Sequence, residues 1–467
     1  MNKTAVFVSL AGALALAAVV VGLPLARPPA DPAHGASPVA PMTGTSDALK
    51  MTARLSHPYV SPGASELFAT VDITGREVPG EARLPVNLAL VIDRSTSMQG
   101  HKLRQAREAA RHLVGMLDEA DRLSIVHYGS DVRSLGSLPA TPDNRQRMLH
   151  YIEGIREDGG TNISAGLQEG RDQVRAARCE RCIERIILLS DGQPTEGLVD
   201  NADLLDLARG IRAGGITVSS LGVGTDYNEN LMQGLAELGA GAYGFIEDAS
   251  QIGPIFQKDL QQASTSVARD VALTFTLPPG VRLEEVLGYR VTREGQRVTV
   301  RLPDFSSGQT ERIVARLTVE GAREGTPADI SGVSLAFRDP RQDTSARLET
   351  KLAARVTSST AEVRENQDKD ATVYAARALS AKNLERAAEA LSEGRKEEAK
   401  DYVARNQQLF QQAAEVASPS AVAADMAEQA EVLKEYDNAD DHEAVGAAVK
   451  RSKSKSLKSF GRMGSTY

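Results

Sequence analysis

Three short stretches of the chain carry oxygen ligands in a pattern that could do chemistry: Asp93-Arg94-Ser95-Thr96-Ser97, Gly159-Gly160-Thr161-Asn162 and Ser190-Asp191-Gly192. Together they offer Asp93, Ser95, Ser97, Thr161 and Asp191, hard oxygen donors of which two are anionic and none is nitrogen or sulfur. Such a set suits Mg²⁺ or Mn²⁺ in octahedral geometry and disfavours zinc. Three of the donors are neutral hydroxyls and Mg²⁺ keeps exchangeable waters, so one position is open to an oxygen from outside. A carboxylate from a partner's Asp or Glu would satisfy both charge and coordination. For any single residue of the set, capping a helix or shaping a turn would be reason enough. For all of them at one place, metal binding is the stronger reading.

What would bring them together is an alternation of buried strands and amphipathic helices. Continuous apolar runs predict strands at 86–93, 123–128, 185–190, 216–223 and 242–247. Between them Leu103, Ala106, Ala110, Leu113, Val114 and Leu117 recur at helical spacing, as do Met148, Ile152 and Ile155, and then Leu204, Leu207, Ala208 and Ile211. This predicts a doubly wound, Rossmann-like α/β domain over 84–265, its parallel sheet covered on both faces. Each of the three stretches falls where a strand stops or a helix starts, on the carboxyl edge where open α/β sheets bind ligands.

The flanks differ. Short or alternating runs at 49–55, 66–73, 271–277, 297–302, 312–319 and 331–337, with turns such as Pro278-Pro279-Gly280, read as all-β. Two precede the α/β unit and the rest follow it. The economical arrangement is one β-sandwich, 48–83 plus 266–357, with the α/β domain inserted; the alternative is a separate N-terminal hairpin. After Thr357 the composition shifts to Ala, Glu, Gln and Arg, predicting an α-helical region over 361–449. Val373, Ala376, Leu379, Leu384, Ala387, Ala388 and Leu391 mark one helix, Gly394 a stop, and Ala399, Val403, Leu409 and Ala413 a second. A third follows near 422–436. Residues 450–467 read as a basic, solvated tail.

With the three segments in this order on one sheet edge, the residues resemble the von Willebrand factor type A (VWA) domain and its metal-ion-dependent adhesion site (MIDAS). The likeness covers about residues 84–265, and no motif position is missing. It implies that Ser95 and Ser97 ligate the metal directly, Thr161 directly or through water, and Asp93 and Asp191 largely through water. The wider arrangement is similar to bacterial cell-envelope proteins of this class and, more distantly, to inter-alpha-trypsin inhibitor heavy chains.

Lys3 followed by an apolar run over 5–25 has the pattern of a basic region and hydrophobic core, so 1–26 is a signal peptide or a membrane anchor. Cleavage and anchoring both stay open, and 27–47 reads as a linker. Either outcome leaves the bulk of the chain extracytoplasmic, anchored to the inner membrane or periplasmic or secreted. The 467 residues allow two to four domains, and a net charge of −8 disfavours a nucleic-acid partner. The two cysteines, Cys179 and Cys182, are expected to close a small disulfide loop in an oxidising compartment. A redox pair would need thioredoxin-like surroundings, and zinc would need a second soft pair. His127 reads as a core histidine, and His101 and His112 as exposed or boundary residues. The chain has no H-E-x-x-H, G-x-S-x-G or phosphate-loop motif. Asn162-Ile-Ser164 matches a glycosylation acceptor, but a sugar there would block the metal loop. No enzyme is implied; a bound metal acting as a Lewis acid would lack a base beside it. The expectation is a metal-dependent protein-interaction or adhesion module. The alternative is an assembly scaffold whose metal only stabilises the loops while the C-terminal helices bind the partner.

Overall fold

A computed structural model of the chain describes residues 41–78, 83–179, 182–224, 227–246, 252–320 and 323–460. The apolar N-terminal run lies outside these, and among the described residues no helix is long and apolar enough to cross a membrane.

Four strands come first: β1 (Met42–Thr45), β2 (Leu49–Leu55), β3 (Tyr59–Val60) and β4 (Ser65–Gly75). The α/β domain then runs β5 (Val86–Asp93), a 3-10 turn (Thr96–Met98), α1 (His101–Met116), β6 (Arg122–Tyr128), β7 (Val132–Pro139), α2 (Pro142–Glu153) and α3 (Ile163–Ala176). It continues through β8 (Ile183–Ser190), α4 (Asn201–Ala213), β9 (Thr217–Val223), α5 (Glu229–Leu238), β10 (Ala240–Ile246) and α6 (Ile252–Ser264). Its sheet has the order β10-β9-β8-β5-β6-β7, parallel except for the edge strand β7, which pairs antiparallel with β6. Both faces of β5 are buried. Leu88, Leu90 and Ile92 pack with α1, α2 and α6, while Ala89 and Val91 pack with α3, α4 and α5. That double burial is why the strands read as unbroken apolar runs, each buried Leu or Ile contributing about 1.5–3 kcal/mol.

Then come β11 (Ser266–Thr276), β12 (Val281–Val286), β13 (Val291–Glu294), β14 (Arg297–Arg301), β15 (Phe305–Ser306), β16 (Thr310–Val319), β17 (Pro327–Asp339) and β18 (Thr344–Val356). They build two sheets, β1-β2-β4-β16-β12 and β13-β14-β11-β17-β18-β3, which share one core containing Met51, Val71, Leu273, Phe275, Leu317 and Leu335. β4, before the α/β domain, is antiparallel to β16 after it, with Ser65 opposite Val319 and Thr310 opposite Thr74. The leading strands are therefore part of the sandwich and not a separate hairpin.

Five helices close the chain: α7 (Thr360–Glu365), α8 (Lys369–Ser392), α9 (Lys396–Val416), α10 (Pro419–Asp437) and α11 (His442–Ser459). The turn between α8 and α9 uses Gly394 at φ 78°, the left-handed conformation the expected stop requires. α8 rests on the sandwich, where the Arg312 guanidinium stacks 3.2 Å above the Tyr374 ring and Lys382 donates to Glu285 at 2.5 Å. Two expectations fail: the stretch 27–47 is not all linker, since β1 within it pairs with β2 in the sandwich, and the second concerns the C-terminus. Of the stretch 450–467 expected to be a solvated tail, residues up to Ser459 are instead carried as helix by α11, and 461–467 lie outside the described residues. Lys450, Ser452 and Ser456 are buried, Tyr436 donates to Ser452 at 2.9 Å, and Phe460 is buried beside Leu287 and Val314. Lys453 reaches across to Glu229 at the start of α5, 2.6 Å away.

Candidate metal centre

The carboxyl edge of the α/β sheet gathers the three predicted stretches. Asp93 is the last residue of β5 and is fully buried. Its Oδ1 accepts the Ser95 N–H at 2.9 Å; its Oδ2 accepts the hydroxyls of Ser190 at 2.6 Å and Tyr128 at 3.2 Å. The strands dictate this: β6 and β8 flank β5, so the last residues of all three converge. Tyr128 reaches Asp93 beneath α3 because residue 166 is glycine. A Cβ there would lie 2.4 Å from the Tyr128 ring. Burial pushes the Asp93 carboxyl up to about 6, the hydrogen bonds from Ser190 and Ser95 oppose the rise, and the Asp191 carboxylate adds to it. Burial, then the neighbouring Asp93, keeps the Tyr128 phenol protonated far above its usual range, so it serves as a donor.

Ser95 occupies the cap position of the 3-10 turn yet makes no side-chain cap bond. Its hydroxyl instead lies 3.0 Å from that of Ser97. Ser95 is buried and Ser97 exposed, so this pair leads from Asp93 to the surface. Thr161 is buried in the loop before α3. Its N–H donates to Thr195 Oγ1 at 2.8 Å, and its carbonyl accepts the N–H groups of Thr195 at 3.0 Å and Glu196 at 3.2 Å. Asn162, the potential glycosylation acceptor, is spent capping α3: its Oδ1 accepts from Ala165 N and Ser164 Oγ. Asp191 follows β8 and is fully buried. Lys102 donates to its Oδ2 at 3.2 Å, its Oδ1 has no hydrogen-bond partner, and its carbonyl accepts Asn228 N–H at 2.8 Å.

The surrounding loops are tied by Arg94, whose chain is 3% exposed. It donates to His127 Nδ1 at 2.9 Å and pairs with Asp131 and Asp158. Burial, then Arg94 and Arg133, pushes His127 down to about 4, so it stays neutral and its Nδ1 accepts from Arg94. His101 and His112 are exposed.

The donors fit a divalent cation. Asp93 and Asp191 are both buried and close enough for the Asp191 charge to act on Asp93, Lys102 pairs with Asp191 alone, one Asp191 oxygen has no hydrogen-bond partner, and the Ser95 and Ser97 hydroxyls stand beside Asp93. Among the described residues no three His, Cys, Asp or Glu side chains cluster as a metal site. The sequence reading missed Tyr128, Ser190, Lys102 and Thr195. Ser190, immediately before Asp191, was the one a reader could have found; the others depend on contacts between distant segments.

The von Willebrand factor type A domain family matches residues 87–258. The chain carries a VWA domain. A bovine (Bos taurus) inter-alpha-trypsin inhibitor heavy chain H1 is 30% identical over 200 residues, 41% of this chain but 22% of that protein. An uncharacterized protein of Synechocystis is 27% identical over 304 residues, 62% of this chain and 71% of its own length. A solved von Willebrand factor type A structure from Catenulispora acidiphila is 18% identical with a TM-score of 0.67, covering 87% of this chain and 96% of that one. That likeness extends well beyond the VWA domain, so the fold shared includes sandwich and helices.

Cys179 and Cys182 form a disulfide between α3 and β8, at the opposite end of the strand from Asp191, with Cα atoms 5.5 Å apart.

Proposed function

We propose that the VWA domain captures a protein partner through Mg²⁺ or Mn²⁺ held by Asp93, Ser95, Ser97, Thr161 and Asp191. The observation that carries this is the charge deficit at the edge: Asp93 and Asp191 are both fully buried, and Asp191 keeps an oxygen without a hydrogen-bond partner. A buried, unsatisfied carboxylate is costly unless a cation completes it. Ser95 and Ser97 offer their hydroxyls, and Ser97 marks the solvent-facing side where a partner oxygen approaches. Asp93, saturated by Ser95, Ser190 and Tyr128, acts through water; Ser190 and Tyr128 hold it in place. Bound there, Mg²⁺ supplies a coordination position for a carboxylate of the partner. The role is adhesion or assembly without catalysis, on the extracytoplasmic side. The basic-apolar N-terminus and the Cys179–Cys182 disulfide support that location.

Capture from envelope extract by the chain, with Mg²⁺, with EDTA and as Asp93→Ala, tests this. A partner retained only with Mg²⁺ and intact Asp93 is the expected result. A partner indifferent to both transfers the interaction to the C-terminal helices and leaves the metal a loop staple.

A further inference from the structure

Lys102 occupies an odd position for a cation. It is the second residue of α1, where the helix dipole disfavours positive charge. Its chain is 16% exposed, and its ammonium lies 3.2 Å from Asp191 Oδ2. The path there is cleared by Gly224, at φ 82°: a Cβ on residue 224 would stand 2.7 Å from Lys102 Cε and 3.3 Å from Cδ and Cγ. The lysine is thus housed by one loop and aimed at the carboxylate of another, 89 residues away in sequence.

We propose that Lys102 is the displaceable counter-ion of the metal site. It pairs with Asp191 when no divalent ion is bound, and its positive charge opposes the ion that replaces it. Lys102 thereby holds ion affinity low, so that full occupancy needs the negative charge a partner's carboxylate brings. Ion and partner then bind cooperatively, each strengthening the other by the same factor. This rests on the reading of the edge as a cation site; what it adds is a residue that sets the ion affinity and couples it to the partner.

The test is Mn²⁺ titration of the full chain, with free Mn²⁺ read by electron paramagnetic resonance. The variants are K102M, which keeps the methylene packing over Gly224, K102Q as a second neutral replacement, K102R, and D93A. The expected result is binding about tenfold tighter or more in both neutral variants, as removal of a like charge a few ångströms from the ion requires, and near wild-type affinity in K102R. Melting in EDTA and in Mn²⁺ accompanies each titration, and the neutral variants should gain more from Mn²⁺ than wild type does. Unchanged or weaker Mn²⁺ binding in K102M and K102Q, with wild type binding and D93A not, overturns the role of Lys102 and leaves the metal site standing. Failure of wild type and both neutral variants to bind Mn²⁺, or equal binding by D93A, overturns the site itself and this role with it.

Discussion

The two edges of the VWA sheet each bury an aspartate, and they treat it in opposite ways. At the amino edge Asp304 accepts from Arg212 at 2.6 and 3.0 Å and from Thr217 at 3.1 Å, with Arg269 at 3.4 Å. Burial alone would raise its carboxyl, but Arg212 and Arg269 outweigh burial and hold it below the ordinary range. At the carboxyl edge Asp93 meets hydroxyls and a second carboxylate, and is pushed up to about 6. Both acids are largely shielded from solvent and hydrogen-bonded, so neither property marks function. The balance of charge does. Asp304 is neutralised by its own chain and acts as a strut between α4, β9 and the sandwich; the Asp93–Asp191 edge is left short of positive charge.

The largest effect should come from breaking the strut. Asp304→Ala leaves Arg269 without a carboxylate and Arg212 with only the exposed Asp270, and should cost about 3 kcal/mol in urea unfolding, with Mg²⁺-dependent capture retained wherever the protein is folded. Loss of capture in folded protein would mean the edges are coupled rather than separate.

Asp93→Asn should do the reverse. It removes a carboxylate that burial disfavours, so the EDTA-treated protein should melt no lower than wild type, while Mn²⁺ affinity falls by about 10–100-fold, the range typical of groups that orient metal ligands. A Mn²⁺ isotherm and a melting curve read both, and a sharp drop in melting temperature would class Asp93 with Asp304.

The pH dependence separates the edges further. Asp93 has a raised pKa in the fold, so its contribution to stability is full below its ordinary value near 4 and is lost as pH rises through about 6. Asp304 has a lowered one, so its contribution is present above the ordinary value and is lost only as pH falls below it. Between pH 5 and 7.5 the Asp304 contribution is constant. Over that interval the metal-free protein should lose stability from Asp93 while the gain from added Mg²⁺ grows. Melting curves at both pH values, with EDTA and with Mg²⁺, check this against Asp93→Asn, which should flatten both trends.

The smallest effect is at the contact between α11 and the VWA domain. Lys453→Ala removes a partly exposed ion pair with Glu229 and should change unfolding by less than about 1 kcal/mol, leaving Mn²⁺ affinity within about twofold.

How much of this was legible depended on what buries each element. Strand β5 was readable to the residue because both faces are core. β7 was not: its sequence VRSLGSLP covers an edge, and none of its residues is fully buried. β18 was missed because its charged residues alternate with alanines and leucines, so no apolar run announces it. α11 packs through Ala448, Ser452 and Ser456, small and polar residues that become core only when Tyr436 and α8 lie against them. At the carboxyl edge, Asp93 and Asp191 were visible because they end or follow apolar strand runs, and Ser95, Ser97 and Thr161 because they stand at a turn or just before a helix, all local features.

The amino-acid sequence by itself determined which side chains arrive at the carboxyl edge, since hydrophobic period and turn chemistry act over a few residues. Only the tertiary structure decided which acids are neutralised. Lys102 and Asp191 are 89 residues apart and Arg212 and Asp304 are 92 apart. Charge balance in a buried site is set by distance in space, which no local pattern encodes.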